Sequence, residues 1–160
     1  MPETVIVEIE SGRSKGNKDA DFLQKMLDSS FLRAGKLGLV GTVVSDRLAD
    51  KLVNPHVHEG EASVIGCAVE IFGNALIDEK RARRLCRNHI PALPIGCTAE
   101  LLLSPCVRKI LGPSTQSEAL HRAVNHGNLY VPKSLDYSVN KISGSMEYKI
   151  DIRPPDPNPW

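Results

Sequence analysis

The sequence predicts an α/β protein: a strand-helix-strand unit of a mixed sheet flanked by helices, with a C-terminal β hairpin or meander. Three observations lead there. Thr4 to Ile9 and Leu37 to Val44 are short apolar runs rich in Val, Ile and Leu, the pattern of covered strands. Between them Phe22, Leu23, Met26 and Leu27 recur at helical spacing. Near the end, Met146, Tyr148, Ile150 and Ile152 alternate with charged residues, as on a one-faced strand.

On a strand, Glu8 and Glu10 share a face at the end of the first run, roughly 6.5–7 Å apart at Cα. Two like charges there call for a cation or donors. The next turn, Ser11 to Lys18, supplies Arg13, Lys15 and Lys18. A divalent ion would serve too, since Mg²⁺ is commonly held by one or two carboxylates with water and phosphate oxygens. Asp19 or Asp21 caps the following helix and Gly35 stops it. Lys25 lies off its apolar stripe, within reach of the strand end. The run at Leu37 then pairs parallel to the first strand.

This order resembles the second half of the PD-(D/E)XK nuclease core of many type II restriction endonucleases, with Val7-Glu8-Ile9-Glu10 similar to its Glu-x-Glu variant. The resemblance covers about forty residues. It implies a restriction-endonuclease-like domain performing Mg²⁺-assisted phosphodiester hydrolysis on double-stranded DNA. Glu8 and Glu10 would be metal ligands and catalytic, with Lys25 beside them. The family core also carries a metal-binding Asp on an earlier strand, and only seven residues precede Glu8. An incomplete or split form, completed by a second subunit or a homodimer, is therefore expected, and the isolated chain is expected not to cut DNA. The alternatives are a non-catalytic DNA-binding or assembly subunit, or an unrelated small α/β protein binding a small molecule or metal.

The remaining chain reads as connection and helix. Ser45-Asp46 starts a short helix, and Val53 to Glu61 reads as an exposed loop. In that loop His56, His58, Glu59 and Glu61 could hold a transition metal. Ala62 to Phe72 leans to helix. A surer helix starts at Asn74 or Asp78 and runs to about Asn88. Its inward residues are Ile77, Leu85 and Cys86, with Glu79 and Arg83 an i,i+4 pair. It carries Lys80, Arg81, Arg83, Arg84 and Arg87, a dense basic patch suited to phosphates. Ile90 to Gly96, with two prolines, is an edge strand at best. Helices follow over Ala99–Leu111, interrupted by Pro105, and over Ser114–Asn125, stopped by Gly127. Tyr130–Leu135 and Tyr137–Ile142 are candidate partners for the last strand.

With 160 residues, the chain is expected to form one α/β domain over 1–153, with a Pro-rich extended tail over 154–160. A net charge of +1 argues against a polybasic nucleic-acid coat and leaves binding to local patches: Arg13, Lys15 and Lys18, and Arg81, Arg83, Arg84 and Arg87. Aromatic content of 4% disfavours single-strand binding by base stacking. No apolar run reaches the ~18 residues of a membrane span and no signal peptide pattern is seen, so a cytoplasmic protein without membrane contact is expected. Cys67, Cys86, Cys97 and Cys106 read as reduced, buried thiols rather than a zinc or disulfide frame. No Walker, Rossmann, G-x-S-x-G or His-Glu-x-x-His pattern occurs.

Overall fold

A computed structural model describes residues 1–52, 56–127 and 129–135. The chain divides into two compact units, Met1–Thr98 and Ala99–Trp160. It is mostly helical, with a two-stranded parallel sheet, so the α/β class holds in its coarse form.

The expected strand-helix-strand unit is corrected to three helices: α1 (Glu3–Ser11), α2 (Asp19–Asp28) and α3 (Leu39–Ala49). In α1 the half-buried residues are Val5, Ile6, Ile9 and Glu10, while Val7 and Glu8 face out. That is a helical stripe, and the helix penalty of β-branched residues, at most about 0.7 kcal/mol each, is small enough for packing to override. Acidic Glu3 sits in the first turn, where the helix dipole favours it. The start of α1 is tied to the segment before α3. The Met1 ammonium donates to Arg33 O at 2.6 Å and Gly35 N–H donates to Met1 O at 3.0 Å.

Helix α2 forms, but its N-cap position is Lys18 rather than Asp19 or Asp21 and it stops well before Gly35; it buries Ala20 and Leu23, while Phe22 and Phe31 stay exposed. It ends at Asp28, and Ser30 turns the chain with φ 57°.

Helix α3 replaces the second expected strand and absorbs the short helix expected after Ser45. Its buried stripe is Gly41, Ser45 and Leu48, packed on α4 (Glu59–Glu70). The two helices cross where Gly41 and Gly66 meet backbone to backbone, so a Cβ on Gly66 would overlap the Gly41 carbonyl. Glu70 closes the crossing. Its Oε2 accepts from Gly38 N at 2.6 Å and from Gly41 N at 3.3 Å, a carboxylate cap supplied from another helix. Buried Ser45 and Ser63 face each other nearby, Oγ to Oγ 3.5 Å.

The helix expected over Ala62–Phe72 is α4, begun early at Glu59. Strand β1 (Ala75–Leu76) pairs parallel with β2 (Ile95–Gly96), the remnant of the proline-limited edge strand. Between them runs α5 (Lys80–His89), starting later than expected because Ala75 to Ile77 belong to the sheet. Ile65, Ala62, Ile77, Ala82, Leu85 and Cys86 centre the core of this unit.

In the second unit α6 (Thr98–Leu103) ends before Ser104, which caps α7 (Pro105–His126) by accepting from Val107 N at 3.3 Å. Pro105 takes the first helical position, where it costs no hydrogen bond. Gly112, at φ 77°, breaks α7 before Pro113. Buried Gln116 donates to Leu102 O at 2.6 Å, satisfying a carbonyl at the end of α6. The expected strand at Tyr130–Leu135 instead contains a 3-10 turn, Lys133–Leu135. The expected strands at Tyr137–Ile142 and Met146–Arg153, and the Pro-rich tail, lie outside the described residues.

The helix crossing makes a quantitative expectation. Gly66→Ala should cost about 2–3 kcal/mol in urea denaturation, the upper range for overpacking, because the obstacle is backbone. Glu70→Ala should cost about 1 kcal/mol through the lost cap. Unchanged midpoints in both variants would rule out this crossing as a main support of the first unit.

Candidate functional site

The first unit places acids at the start of α4. Glu8 lies on the outer side of α1, and a Cβ at Gly60 would stand 2.5 Å from its Oε2. Glycine at that position therefore lets Glu8 rest on the first turn of α4, between Glu59 and Glu61. Helix α4 is about 18 Å long. The chain then reverses at Phe72, φ 51°, with Gly73 N–H bonded to Ala68 O at 2.9 Å. Strand β1 packs against α4 on the way back, and Asp78 and Glu79 follow it in sequence.

Asp78 follows β1 and Thr98 follows β2. The carboxyl ends of parallel strands are where α/β sheets place their sites. Thr98 holds both oxygens of Asp78: its N–H donates to Oδ1 at 2.8 Å and its hydroxyl to Oδ2 at 2.6 Å. Next in sequence, Glu79 caps α5 through its backbone carbonyl, which accepts from Arg83 N at 3.0 Å. Its side-chain Oε2 is buried with no hydrogen-bond partner. An orphaned carboxylate oxygen is costly and is the kind of atom a bound group satisfies. A cleft of about 490 Å³ adjoins this end between α1, α3 and α4, lined by Thr4, Thr42, Ser45, Asp46, Asp50 and Glu59 among others.

The residues singled out from sequence are distributed differently. Glu8 and Glu10 were expected on one face of a strand. On a helix they lie about 200° apart, which separates them. Glu10 is instead gripped by Arg13, at 3.1 and 3.2 Å, and Arg13 also reaches Asp21 at 2.7 Å. The hydrogen bond to Glu10, and that carboxylate's charge, raise the pKa of Arg13. The turn thus answers Glu10 rather than Glu8. Lys15, Lys18 and Lys25 are exposed.

The five cations of α5 do not form one face. Lys80, Arg84 and Arg87, spaced by four and three, are exposed, and Arg81 is half-buried. Arg83 points inward, 4% exposed, and donates to Ile77 O at 3.1 Å. Burial pushes the neighbouring Cys86 thiol up, against the opposing charge of Arg83. Cys86 and Cys97 are buried as expected, but Cys67 is half-buried and Cys106 exposed. His58 caps α4 and His56 is half-buried. Among the described residues no group of three or more His, Cys, Asp or Glu side chains is placed to hold a metal ion. Nor is any helix among them long and apolar enough to cross a membrane.

Sequence reasoning missed the approach of Glu8 to Gly60, the pairing of Asp78 with Thr98 and the buried oxygen of Glu79. The available signals were a Gly-Glu opening a helix of small residues, and an Asp-Glu pair directly after the apolar Ala75-Leu76-Ile77. The bond from Thr98 is testable alone. Thr98→Val keeps shape but removes a hydroxyl donor to a carboxylate, and should cost about 1–2 kcal/mol. Thr98→Ser should recover most of it. Equal stability of all three proteins in urea would show that the contact holds nothing.

Comparison with curated proteins and with solved structures finds no match. A family model described as a PIN domain matches residues 1–143. PIN is a nuclease-type fold, so the nucleic-acid class expected from the sequence is retained. It is nonetheless a different superfamily from PD-(D/E)XK, and that assignment is corrected. By the extent of the match, the chain belongs to the PIN-domain family.

Proposed function

We propose that this chain acts on nucleic acid at its acidic end, through Glu8, Glu61, Asp78 and Glu79, as a phosphodiester-hydrolysing domain whose described residues leave the centre incomplete. One observation carries this reading. Asp78, at the carboxyl end of a parallel strand, is clamped through both oxygens by Thr98 and followed by a buried carboxylate oxygen without a partner. Fixed acceptors at such a place are suited to orienting a water or a substrate group.

PIN domains typically depend on a divalent metal. Carboxylates are hard oxygen donors of the right chemistry. As arranged, however, the described residues do not fit a metal centre: no three ligands converge, and Asp78 and Glu10 are engaged by Thr98 and Arg13. Glu8 remains a site residue in this proposal, while Glu10 serves the α1–α2 turn. Lys25 is given no part in the chemistry.

A polyanion would approach through cations that are exposed. Lys15 and Lys18 lie on the turn after α1, and Lys80, Arg84 and Arg87 line the outer side of α5. Arg81 flanks that stripe. Arg13, exposed but paired with Glu10 and Asp21, and Arg83, buried against Ile77 O, are given no part in this role. Duplex DNA is the first nucleic acid to test, with RNA beside it.

Binding should be detectable at low salt and fall with a log–log slope of about −2 to −3, as for roughly three phosphate contacts. Arg84→Glu with Arg87→Glu should remove most of it. Absence of binding to either nucleic acid at low salt would refute the reading. The isolated chain, given Mg²⁺ or Mn²⁺, should leave labelled duplex DNA and RNA uncut. Cleavage by the wild type that disappears in Asp78→Asn would keep the nuclease assignment and overturn the incompleteness.

A further inference from the structure

The ladder between β1 and β2 ends in an exchange of partners. Ala75 N–H donates to Pro94 O at 3.0 Å and Ile77 N–H to Gly96 O at 2.9 Å. A parallel ladder continued in this register would next join Thr98 N–H to Ile77 O, because its bonds recur at every second residue. Both atoms take another partner. Thr98 N–H donates to Asp78 Oδ1 at 2.8 Å, and Ile77 O accepts from Arg83 Nη1 at 3.1 Å. Two bonds to side chains stand where one backbone bond would continue the sheet.

The exchange has a cost. Arg83 is 4% exposed, and a guanidinium buried this far gives up most of its hydration. A backbone bond would satisfy Ile77 O and Thr98 N–H with no buried charge. What the exchange yields is a donor for Asp78. With Ile77 O held by Arg83, the Thr98 amide is left to the carboxylate, beside the Thr98 hydroxyl that donates to Oδ2 at 2.6 Å. The backbone of Arg83 adds a second hold, its N–H donating to Glu79 O at 3.0 Å. The carbonyls of both neighbours of Asp78 are therefore bonded by one residue.

We infer that Arg83 is a positioning residue for Asp78, acting by keeping Ile77 O from the Thr98 amide. This rests on the proposed function only in giving Asp78 a part in the site. The exchange of partners is read without nucleic acid.

Scalar coupling across hydrogen bonds, measured by NMR on the isotope-labelled full chain, reports each partner directly. In the wild type the Thr98 amide nitrogen should couple to the Asp78 carboxyl carbon and not to the Ile77 carbonyl carbon. Arg83→Met keeps the bulk and removes the donors, and should move the coupling to Ile77. Arg83→Lys keeps a donor and should retain the wild-type partner. A wild-type coupling to Ile77, a coupling to Asp78 that persists in Arg83→Met, or the same move in Arg83→Lys as in Arg83→Met would overturn the inference. Asp78→Ala leaves Arg83 in place, so Thr98 should then couple to neither carbon. A coupling to Ile77 in that variant would overturn the inference as well, and this variant decides by itself should Arg83→Met fail to fold. Nucleic-acid binding is measured separately: its absence leaves these couplings unchanged, and their failure leaves the binding result standing.

Discussion

The first unit depends on the contact of α3 with α4 at Gly41 and Gly66. Two helices approach this closely only where both lack side chains, and the proximity lets Ser45 and Ser63 meet below. The same approach leaves the N–H groups at the start of α3 facing α4, and Glu70 accepts from them. Because α4 is fixed in this way at its last turn, its first turn is fixed too. That is where Glu8 rests on Gly60. The acidic end therefore inherits its geometry from a contact at the opposite end of the same helix.

What the sequence disclosed follows from how local each signal is. Helix α5, the division at Pro105, the stop at Gly127 and the weakness of the strand between the two prolines are set by neighbouring residues, and all were legible. Helices α1 and α3 were not. Their Val and Ile content suggests strands, and the cap that makes α3 a helix comes from Glu70, distant in sequence. In α1 a cue was present, since Val5, Ile6 and Ile9 already fit one helical face with Glu8 opposite. Choosing the strand period turned Glu8 and Glu10 into a pair that the helix separates.

The candidate site was partly legible. Glu8 was singled out on a strand geometry that the helix removes. The arginine-rich helix was found, but burial of Arg83 could not be read from composition, because it depends on where Ile77 ends the strand. Asp78 and Thr98 become partners only once β1 and β2 lie side by side. No periodicity announces that pairing in strands of two residues.

The Asp78–Thr98 bond has a consequence for how the unit opens. It joins the ends of two strands of two residues each, whereas α3 and α4 pack along about three turns of helix. A sheet this short has few bonds to lose, so it opens at lower free energy than the helix pair. Asp78 and Thr98 thus sit where amide exchange would run ahead of the α3–α4 crossing.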